Sequence, residues 1–372
     1  MRIGVPREIK PQEFRVGLMP DGVRELVAHG HEVVVESGAG LGIDAADADY
    51  QEAGATILDG ADAVFAQADM IIKVKEPQAA ERARLRPDHV LFTYLHLAPD
   101  VPQTNELIAS GAVCIAYETI TDAQGGLPLL KPMSQVAGRL SVQAGTRALE
   151  RAQGGRGLLL GGVPGVAPAR VVVIGGGVVG ENAVEMALGL GADVAVLDRN
   201  PVVLERLAHR FGSALTTLYA SRATLERAVV DADMVVGAVL VAGAGAPKLV
   251  TRDMVARMRK GTVLVDVAID QGGCFETSHP TTHHDPTYVV DGVVHYCVAN
   301  MPGAVPLTST QALTNATLPY VLRLADQGWR EALKADPHLR RGLNVAGGAV
   351  TCEPVAEAQG LSYTPAERVL AA

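Results

Sequence analysis

Val171-Val-Val-Ile174-Gly175-Gly-Gly177-Val178-Val179-Gly180 runs four β-favouring apolar residues straight into a Gly-x-Gly-x-x-Gly turn. The Ala/Leu-rich residues 181–190 follow, so strand, tight turn and helix stand in the order that a dinucleotide-binding βαβ unit requires. In such a unit the first glycine permits the turn, the second admits backbone amides to a pyrophosphate, and the third lets helix and strand pack closely. The helix amino terminus adds partial positive charge where the phosphates sit. Asp198 closes the next apolar run, Asp193-Val-Ala-Val-Leu-Asp198, about 20 residues beyond the glycines, where a carboxylate takes the ribose hydroxyls. That carboxylate would repel a 2′-phosphate, which predicts NAD rather than NADP, with the adjacent Arg199 offsetting part of the repulsion. The alternative is a packing turn followed by a solvated aspartate; the complete βαβ context argues against it.

Downstream, apolar runs at 234–240, 263–269 and 293–298 alternate with helical stretches near 201–211 and 251–258, which predicts about six strands in one open sheet. Upstream lie a Gly/Pro-rich stretch at 161–168 and a long connecting helix over 134–153 that ends in Gly154-Gly155. Residues 1–130 carry a second series of the same kind, with apolar runs at 2–5, 31–36, 68–75, 90–96 and 112–117 and helices starting at Pro20 and Val101. Past Asn300-Met-Pro-Gly303 a helix over 310–334 is predicted to return to the first domain. The expected fold class is α/β: two Rossmann-like, doubly wound parallel-sheet domains with a cleft between them. The substrate domain takes 1–130 plus 304–372 and the NAD-binding domain takes 131–303.

Composition agrees and excludes much else. A chain of 372 residues exceeds the size at which one core stops growing, and 48% hydrophobic content with 40 glycines suits buried parallel strands and tight turns. The net charge of −9 with no basic block excludes a nucleic-acid partner. Charges at Arg2, Arg7 and Glu8 interrupt any amino-terminal export signal, and the longest uncharged run, 234–247, is too short and glycine-broken to span a membrane. A cytoplasmic protein is expected. Cys114, Cys274, Cys297 and Cys352 lack pair spacing and read as reduced, buried thiols. His279, His283, His284 and Asp285 sit in a Pro/Thr-rich segment with no helix to align them, so no metal is expected.

Carboxyl ends of strands are where open α/β sheets hold ligands, and several reactive side chains fall there. Lys75 ends the apolar run Ala68-Asp-Met-Ile-Ile-Lys-Val-Lys75, with Lys73 two residues earlier on the same face; either is otherwise a solvated lysine. His96 ends Val90-Leu-Phe-Thr-Tyr-Leu-His96 and is an acid/base candidate near neutrality, or a plain surface histidine. Asp270 follows Thr262-Val-Leu-Val-Asp-Val-Ala-Ile269 and can activate water, or cap a turn. Arg15 can offer a planar fork to a carboxylate, although by itself it reads as a surface arginine. A carboxylate clamp, a donor to a developing carbonyl oxygen and a tuned base are what hydride transfer at the α-carbon of a small amino acid needs.

These residues sit within longer matching stretches. Gly4-Val-Pro-Arg-Glu-Ile9, Lys75-Glu-Pro77, Tyr94-Leu-His96, Leu130-Lys-Pro-Met-Ser134, the Gly175 turn, Val265-Asp-Val-Ala-Ile-Asp270-Gln-Gly-Gly273 and Tyr296-Cys-Val-Ala-Asn300-Met-Pro-Gly303 together resemble the alanine dehydrogenase family, which also holds the NAD-binding subunit of proton-translocating transhydrogenase. The likeness runs end to end. It implies that Arg15 and Lys75 bind the carboxylate and keto oxygen of the substrate and that His96 and Asp270 are the acid/base pair. It implies L-alanine, pyruvate and ammonium as substrates, with a homohexamer as the assembly. It also implies cofactor contacts from Ser134 to a phosphate and from Gly175, Gly177, Val178, Val179 and Gly180 to the pyrophosphate. Asp198 would meet the ribose and Val239 and Leu240 the adenine side. Val267, Ala268, Ile269 and Asp270, with Val298, Ala299, Asn300 and Met301, would surround the nicotinamide. A transhydrogenase subunit shares the glycine turn but is not expected to carry Lys75, His96 and Asp270 together.

Overall fold

The structure is a computed structural model and describes residues 1–239 and 246–371. The chain forms two compact units, one of Met1–Met133 with Val305–Ala372 and the other of Ser134–Ala304.

In the first unit six short strands, β1 (Arg2–Val5), β2 (Glu32–Glu36), β3 (Thr56–Leu58), β4 (Met70–Ile72), β5 (Val90–Thr93) and β6 (Val113–Ala116), are all parallel. They lie in the order β3-β2-β1-β4-β5-β6, so the winding reverses between β1 and β4. Both faces are covered, which is why β4, β5 and β6 are buried at every position and read as unbroken apolar runs. Phe65, Ile71, Leu91, Leu95, Leu107 and Cys114 belong to one core cluster. The helix Val101–Ser110 is capped by Asp100, whose side chain accepts from Gln103 N, and closes on Gly111 at φ +70.

The second unit contains β7 (Arg170–Ile174), β8 (Asp193–Asp198), β9 (Leu215–Tyr219), β10 (Met234–Gly237), β11 (Val263–Asp266), β12 (Thr287–Val290) and β13 (Val293–Tyr296). The order is β9-β8-β7-β10-β11-β13-β12, parallel except for β12, and the reversal falls between β7 and β10. Val172, Ile174, Leu197, Val235, Leu264 and Phe275 share its core. The chain then returns to the first unit through the helix Pro306–Gln327 and adds β14 (Leu343–Ala346), antiparallel to β6, and β15 (Ala349–Val350), antiparallel to β14. Each unit is therefore a doubly wound sheet with a topological switch point, the α/β class expected from the sequence.

Several expected boundaries move. The connecting helix begins at Lys131, not Ser134, and ends at Ala148, with a separate 3-10 turn at Arg151–Gln153; Pro132 is tolerated because amides of the first helical turn make no intrahelical hydrogen bond that a proline would remove. The helix expected over 310–334 is two, Pro306–Gln327 and Trp329–Ala335, broken by Gly328 at φ +75. Among the described residues the second sheet has seven strands rather than about six, and two of them, the edge strands β9 and the antiparallel β12, had no counterpart among the expected runs. The run 262–269 is strand only to Asp266, after which Val267–Gln271 is a 3-10 turn.

Candidate active site

Because β1, β4, β5 and β6 are parallel neighbours, the segments leaving them emerge at one edge of the first sheet. Glu8 follows β1, Lys73 and Lys75 follow β4, Tyr94 and His96 follow β5, and Glu118 follows β6. Glu8 and the two lysines thus bracket the switch point, the place at which open sheets bind ligands. Lys73 is not a solvated lysine. Its ammonium is fully buried, 2.9 Å from Glu8 Oε2 and 2.8 Å from Glu81 Oε1, both carboxylates being buried as well. Burial alone would lower the lysine, but the two facing carboxylates overcome this and it stays charged. Glu8 Oε1 also accepts from Val74 N at 2.6 Å and Lys75 N at 3.4 Å, which fixes the backbone that carries the half-buried Lys75.

Arg15 is likewise not at the surface; it is 2% exposed. Glu13, two residues earlier, grips it with Oε1 at 2.7 Å from Nε and Oε2 at 2.6 Å from Nη2, a bidentate pair of planar groups. Nη1 stands 3.0 Å from Met133 Sδ. Burial works against the guanidinium charge and the Glu13 contacts more than restore it. Only planar geometry satisfies such a pair, so a lysine could not take this position unchanged.

His96 has a left-handed backbone, φ +49, uncommon for any residue that carries a Cβ. Its imidazole is exposed and lies parallel to the Tyr94 ring, centroids 5.7 Å apart and planes 8° apart. Tyr94 is buried, donates from its hydroxyl to Leu129 O at 2.5 Å, and is pushed well above the usual phenol range by burial, so it remains a donor.

In the second unit the glycine turn leaves β7 at its switch point. Gly175 has φ +99, and a Cβ there would stand 2.7 Å from Ala238 O. At Gly180 a Cβ would stand 1.8 Å from Gly175 O, the close approach of helix to turn. Gly177 is the contrast, since its Cβ position meets nothing within 4 Å. Open space therefore faces the first-turn amides of the helix Val178–Gly189, donors that have no partner within the helix. Val178 is exposed and Val179 half-buried beside that opening. Asp198 Oδ2 accepts from Gly176 N at 2.7 Å and Oδ1 from Asn200 N at 2.8 Å. A carboxylate has about four acceptor positions, which leaves capacity for a ribose diol. A cradle forced to be glycine at two points, open at a third and ending in a half-buried carboxylate fits NAD.

The other cofactor candidates gather at the same sheet edge. Val239 follows β10, next to Gly175, while Leu240 lies outside the described residues. Val267, Ala268, Ile269 and Asp270 form the 3-10 turn after β11, with Asp270 exposed at its tip and Ile269 buried beneath. The buried Asp266 holds this turn: Oδ1 accepts from Ala268 N at 3.1 Å and Oδ2 from Cys274 N at 2.9 Å and Ser278 Oγ at 2.6 Å. Burial raises the Asp266 carboxyl against these contacts. Val298, Ala299, Asn300 and Met301 follow β13; Asn300 is left-handed, φ +61, and its carbonyl lies 3.1 Å from His283 Nε2. Ser134 sits on the helix Lys131–Ala148, which crowds the glycine-turn helix so closely that a Cβ on Gly138 would stand 2.2 Å from Val179 O. Among the described residues no group of three or more His, Cys, Asp or Glu is placed to hold a metal ion.

Sequence reasoning missed Glu8, Glu13, Glu118 and Asp266, the carboxylates that hold the candidate groups. Three of them carry one legible signal: each follows or ends a short strand that is buried at every position or nearly so, where a lone carboxylate must find donors.

Comparison with known proteins places this geometry in a family. Residues 4–137 match the family model described as alanine dehydrogenase/PNT, N-terminal domain, and residues 141–353 match alanine dehydrogenase/PNT, C-terminal domain. Alanine dehydrogenase of Halomonas elongata is 61% identical over 370 residues, covering 100% of both chains. That of Mycobacterium tuberculosis is 55% identical over 371 residues with the same coverage. A solved L-alanine dehydrogenase superposes with a TM-score of 0.94 at 54% identity, covering 97% of this chain and 99% of its own. A transhydrogenase from Sinorhizobium meliloti gives 0.81 at 26% identity, covering 95% and 99%. With both domains matched and identity above one half over the full length, the chain belongs to the alanine dehydrogenase/PNT family.

Proposed function

We propose that this protein is an L-alanine dehydrogenase, converting L-alanine, NAD and water reversibly to pyruvate, ammonium, NADH and a proton. The observation that carries the reading is the pair of switch points: the glycine turn with Asp198 at one, and Lys75 and His96 leaving neighbouring parallel strands at the other. Identity of 53–61% to curated alanine dehydrogenases supports it. NAD, when bound, accepts the hydride of the substrate α-carbon.

The chain's own side chains divide the remaining work. Arg15 binds the substrate carboxylate, its fork held in plane by Glu13, and Lys75 donates to the oxygen that is the keto oxygen of pyruvate. In the aminating direction ammonia attacks that carbonyl while His96 protonates its oxygen, and Asp270 takes a proton from the added nitrogen and passes it to the carbinolamine hydroxyl, which leaves as water. In deamination Asp270 takes a proton from the water that adds to the iminium carbon. General acid and base groups of this kind contribute about 10²- to 10⁴-fold each. Ser134 and the amides at Gly175, Gly177, Val178, Val179 and Gly180 bind the cofactor phosphates, Asp198 the ribose, and Val239 and Leu240 the adenine side. Val267, Ala268, Ile269 and Asp270, with Val298, Ala299, Asn300 and Met301, line the nicotinamide. Residues 1–130 with 304–372 are the substrate domain and 131–303 the NAD-binding domain. The working form is a cytoplasmic homohexamer; no described helix is long and apolar enough to cross a membrane.

Absorbance of NADH tests this in both directions, with L-alanine plus NAD and with pyruvate, ammonium and NADH. Turnover that is lost with NADP or D-alanine supports the reading. Loss of turnover in His96→Ala and Asp270→Asn, with NADH binding retained, supports the roles. NADH binding without turnover of either substrate pair overturns the reaction, and near-full activity in either variant overturns that residue's role.

A further inference from the structure

We propose that Glu118 is the positioning residue of His96, acting as a hydrogen-bond acceptor that locks the left-handed backbone on which the imidazole is presented. Its catalytic consequence rests on the alanine dehydrogenase reading; its structural part does not.

The register of the sheet brings the two together. Thr93 pairs with Ala116 in the parallel β5–β6 ladder, so the residues leaving β5 run beside the 3-10 turn Tyr117–Thr119 that leaves β6. Glu118 turns inward from that turn, its side chain 14% exposed. Its Oε1 accepts from His96 N at 2.6 Å and from Leu95 N at 3.1 Å, and Oε2 lies 3.3 Å from Leu95 N. The far side of the same peptide is held too, since Gln103 Nε2 donates to Leu95 O at 2.6 Å. One carboxylate therefore gathers two consecutive amides that no ladder partner takes up once β5 has ended.

The conformation held is a costly one. At φ +49 the Cβ of His96 crowds its own carbonyl, and such backbones persist only where surrounding contacts over-determine them. The result is specific: the imidazole stands parallel to Tyr94, whose ring meets Tyr117 edge-on at 5.0 Å, and Tyr117 meets Phe92 at 4.4 Å. The histidine is thus referenced to the core through Tyr94 and to the backbone through Glu118. The imidazole Nδ1 is 3.9 Å from Oε1, beyond hydrogen-bonding range, so the tie is to the main chain rather than to the ring.

Glu118→Asp and Glu118→Gln separate reach from charge. Aspartate keeps the charge but is one methylene too short to meet both amides, whereas glutamine keeps a carbonyl oxygen at the same reach. Glu118→Asp is expected to lower kcat for L-alanine about 10- to 100-fold while KM for alanine and NADH affinity move less than about twofold, the pattern of a misplaced reacting group. Glu118→Gln is expected to stay within about threefold of the parent in kcat, because the acceptor remains. A readout independent of turnover is the acylation rate of His96 by diethyl pyrocarbonate, followed on the peptide that contains it, which rises in Glu118→Asp and not in Glu118→Gln. Equal losses in both variants, or an unchanged acylation rate in Glu118→Asp, overturn the proposal. If the parent does not turn over alanine, the functional reading fails, and the acylation rates alone still decide whether Glu118 positions His96.

Discussion

Glu8 and Lys73 form a fully buried ion pair at the switch point of the first sheet, Oε2 to Nζ 2.9 Å, while the other Glu8 oxygen holds Val74 N at 2.6 Å. The group is completed by Glu81, whose Oε1 is 2.8 Å from the same ammonium. Two carboxylates around one buried cation are tolerable only while the cation is present, because each lone charge in a dry interior costs several kcal/mol. Burial already pushes the Glu8 carboxyl upward against the attraction of Lys73.

Removing the cation therefore exposes the cost. Lys73→Met is expected to destabilise the protein by about 3 to 5 kcal/mol, read from chemical denaturation, since it leaves two carboxylates unpaired. The triple variant Glu8→Gln, Lys73→Met, Glu81→Gln should recover most of that loss. Lys73→Met within about 0.5 kcal/mol of the parent would mean the site is wet enough to screen the charges.

The glycine turn predicts a contrast between two adjacent motif positions. Gly180→Ala has no room, with Gly175 O at 1.8 Å from the new Cβ, so helix and turn must separate and both stability and NADH binding should fall. Gly177→Ala meets nothing within 4 Å at an ordinary φ of −69° and should fold with an unchanged melting temperature. It nonetheless places a methyl where a phosphate must approach the helix amides, so the NADH Kd should rise at least about tenfold, a loss of about 1.4 kcal/mol. Unchanged affinity in Gly177→Ala would move the pyrophosphate away from this turn.

What the sequence made legible follows a physical divide. Period and punctuation revealed both βαβ series, the glycine turn and Asp198, because each is a local pattern in which backbone geometry dictates residue type. Long-range burial was not legible. Arg15 has its partner Glu13 two residues earlier, but what the sequence does not display is that the pair is buried; Lys73 reads as a solvated cation because its partner Glu8 is 65 residues away and meets it only once the sheet brings strand ends together. Glu118, 22 residues from His96, was hidden for the same reason. The turn after Asp266 was read as strand because Val267, Ala268 and Ile269 are apolar, whereas Asp266 caps them into a 3-10 turn.

Asp198 has two duties that one substitution can separate. It accepts from Gly176 N and, in the proposed function, from the ribose diol. Asp198→Asn keeps one acceptor oxygen for the Gly176 amide, loses the one that takes Asn200 N, and removes the charge that would repel a 2′-phosphate. The ratio of kcat/KM for NAD over NADP should fall by at least about tenfold, or 1.4 kcal/mol, with a smaller loss of stability than in Asp198→Ala. Asp198→Ala should lower the ratio as well, with a further loss of stability from the unheld Gly176 amide. A ratio unchanged in both variants would remove Asp198 from cofactor selection.

His295 on β13 gives the pH prediction. It is fully buried beneath Tyr288, whose ring stacks on it at 4.9 Å, and its Nδ1 lies 3.0 Å from Val293 O and its Nε2 2.7 Å from Thr277 Oγ1. The carbonyl can only accept, so Nδ1 carries the proton and Nε2 accepts from the threonine hydroxyl; the neutral ring is satisfied at both nitrogens. Burial pulls the imidazole down from 6.5 to about 4. Between those values the unfolded chain binds a proton that the folded chain does not, so this contribution is whole above pH 6.5 and is lost as pH falls to about 4. Its full size is about 3 kcal/mol. Denaturation measured from pH 7 to 4 should show stability falling with acidity, and in His295→Gln, which can keep both hydrogen bonds without titrating, the slope near pH 5 should be shallower by up to about 1.4 kcal/mol per pH unit. Equal slopes in parent and variant would mean that the ring is protonated in the folded protein and that Thr277 accepts from it instead.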